Sequence, residues 1–296
     1  MTHIPLKSDV RKISHNQLGI WQRCPKMWEY TYIKKIVTKD TPIHFRKGAL
    51  VHELLSAYDQ FLQQGAEPGD LSLVDLVMQV AKDEYAGQWS LADAEIYKAA
   101  LLAVRRFIKD FSPRVDRNIQ IVAVEEKFEV ELNTPKGRIF KLEGIIDRLY
   151  RKQHQLFILD RKTTSVAQHW TENQLLMDSQ LLTYGALLRE LGFNPHGFEI
   201  DSIVTYPYKN YDKEPVDKLF RRLTTTRNDA EMTFALNAYR RAIDSMFDVI
   251  ENETEVPYHF SKTCSTCHYM PICLYTMKGI DTKVLIRDKF KPRPEA

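Results

Sequence analysis

Between residues 121 and 164 the chain falls into a strand pattern three times in succession, and the third run ends in FILDRKTTS. The runs are IVAVEEKFEVEL (121–132), RIFKLEGIIDRLYR (138–151) and HQLFILDRKTT (154–164). The first two alternate, and β-branched residues recur through the three. A turn at Asn133 to Gly137 separates the first two, which predicts a meander of two hairpins. A strand sends alternate side chains to opposite faces. Asp160 and Lys162 therefore share one face at the tip of the third strand, and Arg161 takes the other. If the second and third strands pair, Asp147 of GIIDR arrives beside Asp160. Two carboxylates in apolar strand sequence repel each other, and each favours its protonated form. A divalent cation relieves that repulsion, and Mg²⁺ and Mn²⁺ prefer carboxylate oxygens. A lysine beside such a site can orient or deprotonate water, or neutralise charge that builds on a phosphate under attack. The plainer alternative is a salt-bridged strand end.

Around these strands the apolar spacing becomes helical. Helices are predicted over 15–33, with Ser14 or Asn16 as cap, over 48–65, ended by Gly65, over 71–87, and over 91–111, opened by Ser90. A helix over 178–191 has Asp178 as its cap and Gly192 after its end; a strand (198–208) and a long helix (229–250) follow. The order is helices, β-β-β-α-β, helix. It predicts an α/β fold with a mixed sheet and an inserted helical subdomain. The expected organisation is one integrated domain: an N-terminal segment (1–53), a helical insertion (54–115), a core (116–250) and a C-terminal segment (251–296). No apolar run approaches the roughly 18 residues of a membrane span. The start MTHIPLKSDV lacks a secretory pattern, so an intracellular, cytoplasmic protein is expected.

Charge is unevenly distributed. Residues 1–47 carry ten Lys/Arg and three acids, and residues 256–296 carry seven and three. The ends are thus +7 and +4 on a chain of net charge +3, which leaves an acidic middle. Basic ends suit a polyanion, although two solvated tails would read the same way. The four cysteines are also at the ends. Cys264, Cys267 and Cys273 form a C-x2-C-x5-C triplet, and Cys24 stands alone far upstream. An intracellular setting disfavours disulfides. Four thiolates suit zinc or an iron–sulfur cluster, and spacing alone does not choose between them.

The strand-end residues resemble the PD-(D/E)XK nuclease superfamily, and within it RecB-like exonuclease domains. GIIDR and ILDRKTT resemble its core motif, with Asp147, Asp160 and Lys162. KGALVHELL resembles the N-terminal histidine motif, which implies His52 as a further metal ligand. QLLTY resembles the Gln-x-x-x-Tyr motif, with Gln180 and Tyr184 on one helix face. VEEKF resembles the acidic first strand, with Glu125 as the matching acid and Glu126 as the alternative. Arg161 departs from the family, which often has a tyrosine or an apolar residue there; it is expected to touch phosphate or to be solvated. One upstream cysteine with a C-terminal triplet resembles the iron–sulfur branch, which includes AddB-type recombination nucleases and the exonucleases of CRISPR adaptation. That implies a [4Fe–4S] cluster on Cys24, Cys264, Cys267 and Cys273, with His259 and His268 beside it or on the surface.

The resemblance implies a restriction-endonuclease-like core and a Mg²⁺- or Mn²⁺-dependent deoxyribonuclease. Its expected action is that of an exonuclease preferring single strands in DNA processing, recombination or repair. In this reading Lys162 positions the attacking water, Gln180 and Tyr184 orient its strand or the DNA backbone, and the inserted helices wall the strand. Expected partners are DNA and a helicase or recombination protein, because the chain contains no G-x-x-x-x-G-K-[ST] phosphate loop. The basic ends, with Trp21, Trp28, Tyr30 and Tyr32, would suit a grip on single-stranded DNA, but for most of these rings the expected place is a core for the N-terminal segment. The alternative is a non-cutting DNA-binding or adaptor subunit that keeps the fold.

Overall fold

The computed structural model describes residues 11–39, 43–85, 94–206, 208–252 and 254–294. The expected helix start at Ser90 lies outside them. In chain order the elements begin with β1 (Arg11–Ser14), α1 (His15–Arg23), α2 (Pro25–Trp28), a π turn (Glu29–Ile33) and β2 (Ile36–Thr38). Then come α3 (Ile43–Gln63), α4 (Leu71–Tyr85), α5 (Ala94–Arg106), a second π turn (Phe107–Phe111) and α6 (Ser112–Val115). The central stretch holds β3 (Ile119–Asn133), β4 (Ile139–Lys152), β5 (Gln155–Thr164), α7 (Glu172–Leu176), α8 (Ser179–Glu190) and β6 (Pro195–Val204). The chain finishes with α9 (Val216–Leu219), β7 (Phe220–Thr226), α10 (Asp229–Glu251), α11 (Met270–Met277), α12 (Lys283–Lys289) and β8 (Phe290–Pro292). Among the described residues no helix is long and apolar enough to cross a membrane.

The fold is the mixed α/β class that the element order predicted. The β-β-β-α-β run is β3, β4, β5, α8 and β6. Asp178 caps α8 by accepting from the Leu181 N–H at 2.7 Å. The helix expected over 15–33 breaks once. Proline disfavours helical backbone in the residue before it, and Cys24, before Pro25, is extended (φ −165°, ψ 111°). The strands β1, β2, β7 and β8 were not anticipated; three of them are only three or four residues long, too short for a period to show.

Two compact units share the chain. The first comprises residues 1–41, 129–143 and 237–296, the second 42–128 and 144–236, so β3 and β4 each run through both. In the first unit β1 pairs in parallel with the start of β4, and β2 pairs antiparallel with β8. Its small core joins Tyr30, Tyr269, Ile272 and Phe290.

The second unit orders the remaining strands β4-β5-β6-β7. β5 and β6 run parallel and are joined through α8, while β4 and β7 are antiparallel to their neighbours. In the β5–β6 register Asp160 faces Ile200 and Lys162 faces Ser202, while Arg161 faces Asp201. Each set shares a face of the sheet. α8 packs on the Asp160 face, where Gly185 comes so close to Phe198 that a Cβ would lie 2.5 Å from its ring. On the opposite face α3, α4, α5 and the second π turn bury Leu50, Leu54, Tyr58, Val77, Val104 and Phe107 against Ile203 and Phe220. Helices therefore cover both faces, and each face brings its own polar residues to the middle of the sheet.

Candidate active site and cysteine cluster

The antiparallel ladder between β4 and β5 ends at Arg148–Leu159. Were it to continue, residue 146 would face Arg161. Instead the Arg161 N–H donates to the Asp147 side chain, with Oδ2 at 2.7 Å. The splayed strands thus deliver two carboxylates to one edge. His52, on α3, sits with Nδ1 3.3 Å from the same Asp147 oxygen. Burial works against a charged imidazole, but the Asp147 carboxylate outweighs it and holds the His52 pKa above its ordinary value. The same imidazole and Arg161 hold Asp147 low against the effect of burial.

Asp160 is the opposite case. It is buried, and burial pushes its carboxyl up to about 7, with Lys162 opposing and the Asp147 charge reinforcing the rise. Lys162 Nζ lies 2.7 Å from Asp160 Oδ2. The contact is a buried ion pair, and Oδ2 has no further donor among the described residues. Lys162 also donates to Gln180 Oε1 at 2.7 Å, and Gln180 Nε2 donates to the Tyr184 hydroxyl at 3.3 Å. Burial lowers the lysine pKa, yet Asp160 raises it further, so Lys162 is held above the ordinary value.

Gln180 and Tyr184 share one face of α8. Tyr184 meets the Phe128 ring edge-on at 5.1 Å, and burial pushes its pKa up to about 12. Gly144 makes this packing possible. A Cβ there would stand 2.6 Å from both Phe128 Cζ and Tyr184 Cε1, so the glycine of EGIIDR is a close-approach glycine. Glu125 has φ +48° inside β3, a left-handed residue in a strand. Burial, then the Asp147 charge, pushes its carboxyl up to about 6, which brings Glu125 into the electrostatic reach of the site.

Three neighbours were not picked out as site residues from sequence. Asp178 caps α8 and its charge also acts on Asp160 and Lys162. Lys47 is buried and donates to the Thr205 carbonyl at 2.9 Å, and burial lowers its pKa. Gly48 lets α3 approach β5, since a Cβ there would sit 3.0 Å from Thr163 Oγ1. A close-approach glycine one turn before a histidine was the signal available for this helix.

Arg161 corrects an expectation. It is 1% exposed, neither solvated nor open to phosphate, and its guanidinium donates to Asp59 Oδ2 at 2.6 Å. The aromatics of the N-terminal segment take the core place expected for most of them: Trp21, Trp28 and Tyr30 are buried in the first unit and do not form an open grip. Trp21 and Trp28 meet edge to face at 5.2 Å, and the half-buried Tyr32 lies under Arg293. Phe260, at 68% exposed, is instead the open ring, stacked on Tyr258 at 5.7 Å and 6°.

Within the first unit the four cysteines line one cavity of about 200 Å³, walled by Met27, Tyr30, Tyr258, Phe260 and Leu274. Extended Cys24 arrives from the break before Pro25, and Cys273 from the first turns of α11. All four are free thiols. Burial first of all raises the pKa of Cys267 and Cys273. His259 also lines the cavity and contacts the Arg23 carbonyl, while His268 is exposed.

The order His52, Asp147, Asp160-x-Lys162, Gln180-x3-Tyr184, gathered on splayed strands and a crossing helix, has a counterpart among protein families. The family model of the PD-(D/E)XK nuclease superfamily matches residues 12–274. The chain belongs to this superfamily. Among solved structures, a protein of Eubacterium rectale named as a "putative exonuclease" is similar over 89% of this chain and 94% of its own, with a TM-score of 0.53 and 12% identity. That likeness supports the nuclease fold and no more. The structure of SSO0001 aligns over 76% of this chain and 94% of its own at 16% identity, with a TM-score of 0.36, too loosely to bear on the argument. No curated protein matches the chain in sequence.

Proposed function

We propose that this nuclease is a Mg²⁺- or Mn²⁺-dependent DNA exonuclease that prefers single-stranded ends, with Asp147, Asp160 and His52 as metal ligands. The observation that carries this reading is the buried Asp160 carboxyl beside Asp147, whose Oδ2 has no partner among the described residues except the Lys162 ammonium at 2.7 Å. Among the described residues no three His, Cys, Asp or Glu side chains form a ready metal cage. Mg²⁺ does not need one, since it is held by one or two carboxylates with waters and substrate phosphate. The donors present therefore fit. When bound, the metal would supply a Lewis acid beside the scissile phosphate. Lys162, kept charged by Asp160, offsets negative charge on the phosphate and is held in place by Gln180 and Tyr184. Its raised pKa argues for this electrostatic role and against proton abstraction.

The test is degradation of 5′-labelled linear single-stranded DNA with Mn²⁺ or Mg²⁺, beside an Asp160→Ala control. Metal-dependent degradation lost in the control is the expected result. Rapid cutting of circular single strands would overturn the end-dependent part. No cleavage by the folded protein would favour a non-cutting DNA-binding subunit.

Metal binding is also expected to depend on pH. Asp160 and His52 each must lose a proton before acting as ligands, and both hold theirs to higher pH than usual. Mn²⁺ affinity should therefore rise steeply up to about pH 7 and flatten above it. Titration followed by Mn²⁺ electron paramagnetic resonance checks this. An affinity flat from about pH 5.5 to about pH 8 would contradict the assigned ligands.

The cysteine cavity supports a [4Fe–4S] cluster. Its volume of about 200 Å³ is several times the roughly 30 Å³ that one water occupies in the liquid, more room than a lone zinc ion uses. Four thiols in an apolar setting are a suitable donor set. The Tyr258–Phe260 stack on the rim of that cavity, in a unit with an excess of Lys and Arg, supports contact with unpaired bases.

A further inference from the structure

Each carboxylate of the candidate metal site is followed by an arginine: Asp147-Arg148 in β4 and Asp160-Arg161 in β5. Strand alternation sends the acid to the α8 face and the arginine to the α3 face. Both arginines are fully buried, and both end on one carboxylate. Arg148 donates to Asp59 Oδ1 at 3.1 Å, and Arg161 donates to Asp59 Oδ2 at 2.6 Å. Asp59 is itself 0% exposed. It lies on α3 seven residues after His52, close to two helical turns, so the two share a face of that helix. One helix face therefore reaches Asp147 directly through His52, and reaches the residue after each metal carboxylate through Asp59.

We propose that Asp59 is a positioning residue, which fixes Asp147 and Asp160 relative to His52 by clamping Arg148 and Arg161. The proposal rests on the reading of Asp147, Asp160 and His52 as metal ligands. A buried ion pair is weak evidence for stability, because apolar residues of similar volume often do as well. It does fix geometry. Each carboxylate oxygen of Asp59 takes a donor from a different strand, so β4 and β5 cannot shift past each other, at the place where their ladder has ended, without breaking one bond. Burial alone would favour a neutral Asp59 and raises its pKa, and the two guanidinium groups oppose that. Arg148 is held on its other side by Asp116 at 2.7 Å. For Arg161, Asp59 is the one hydrogen-bond acceptor of the guanidinium among the described residues, since its Nε and second terminal nitrogen have none.

The test compares the full chain with Asp59→Asn, Arg161→Lys, Asp160→Ala and Val77→Ala, the last a core truncation in α4 that touches none of these groups. Mn²⁺ affinity, thermal unfolding, and kcat and KM on linear single-stranded DNA are measured for each. Asp59→Asn is expected to weaken Mn²⁺ binding tenfold or more and to lower kcat by a similar factor, with KM for DNA within about twofold. Val77→Ala should lose thermal stability with unchanged Mn²⁺ affinity. If Asp59→Asn behaves like Val77→Ala, Asp59 is merely structural and the proposal is overturned. If Asp59→Asn does not fold, Arg161→Lys takes its place: intermediate weakening supports the clamp and unchanged affinity overturns it. Wild-type Mn²⁺ binding in Asp160→Ala would overturn the metal-site reading, and the clamp with it.

Discussion

Lys162→Met is expected to lower single-turnover cleavage by about 10³-fold, within the range reported for removing one electrostatic or acid–base group from an active site. Methionine keeps much of the aliphatic stem and removes the charge. The ammonium has two fixed partners, Gln180 and Asp160, each at 2.7 Å, and its third N–H remains for water or phosphate. Part of the loss acts through Asp160. Without its cation, that buried carboxyl holds its proton to still higher pH and competes less well for metal. Raising Mn²⁺ or pH should recover this part, and the deficit left at saturating Mn²⁺ belongs to the lysine itself. Lys162→Arg should not restore the rate, because a planar fork does not replace a point charge between two fixed acceptors. Thermal stability should change little, since a protonated Asp160 is not a buried charge. A variant within about tenfold of wild type at saturating metal would remove Lys162 from the chemistry.

The candidate site was legible in sequence where its residues sit on regular elements. Strand alternation put Asp160 and Lys162 on one face. Gln180 and Tyr184 were singled out by the resemblance to the Gln-x-x-x-Tyr motif, and helical spacing only placed them on a common face. Arg161 was harder. Alternation put it on the face away from Asp160, but nothing local said that three helices cover that face. Its partner Asp59 lies 102 positions away and its strand neighbour Arg148 pairs with the same acid, so burial became visible only in three dimensions.

For the aromatic residues of the N-terminal segment the core place prevails over the nucleic-acid grip. Trp21, Trp28 and Tyr30 surround a cysteine and a proline in a basic stretch, a composition that suits a nucleic-acid surface and a small core equally. The core took them because Tyr30 packs with Tyr269, Ile272 and Phe290 from the far end of the chain. Phe260 was overlooked because it stands in a short irregular segment with no period to betray its exposure.

Arg222→Met is expected to destabilise the second unit by about 3–5 kcal/mol, the usual consequence of removing one partner from a buried ion pair. The Arg222 guanidinium meets both Asp201 oxygens at 2.7 Å and Asp116 Oδ1 at 2.9 Å. Asp201 is 0% exposed and Asp116 1%, so neither carboxylate can turn to water when the arginine is gone. In equilibrium urea unfolding the midpoint should fall while the slope stays constant. The pH dependence has a definite sign. Burial would raise the Asp116 pKa, but Arg148 and Arg222 together outweigh it and hold the group well below the usual carboxylate range. A depressed carboxylate contributes stability above its unfolded pKa and loses it as pH falls through the folded value. In the variant Asp116 loses Arg222 and keeps Arg148 and the Ser112 hydroxyl, so its folded pKa rises. Protonation then relieves part of the uncompensated charge, and the deficit relative to wild type should shrink as pH falls from about 7 to about 4. A deficit that stayed constant over that interval would mean that another cation or water reaches the two carboxylates, and that the network is less dry than its burial implies.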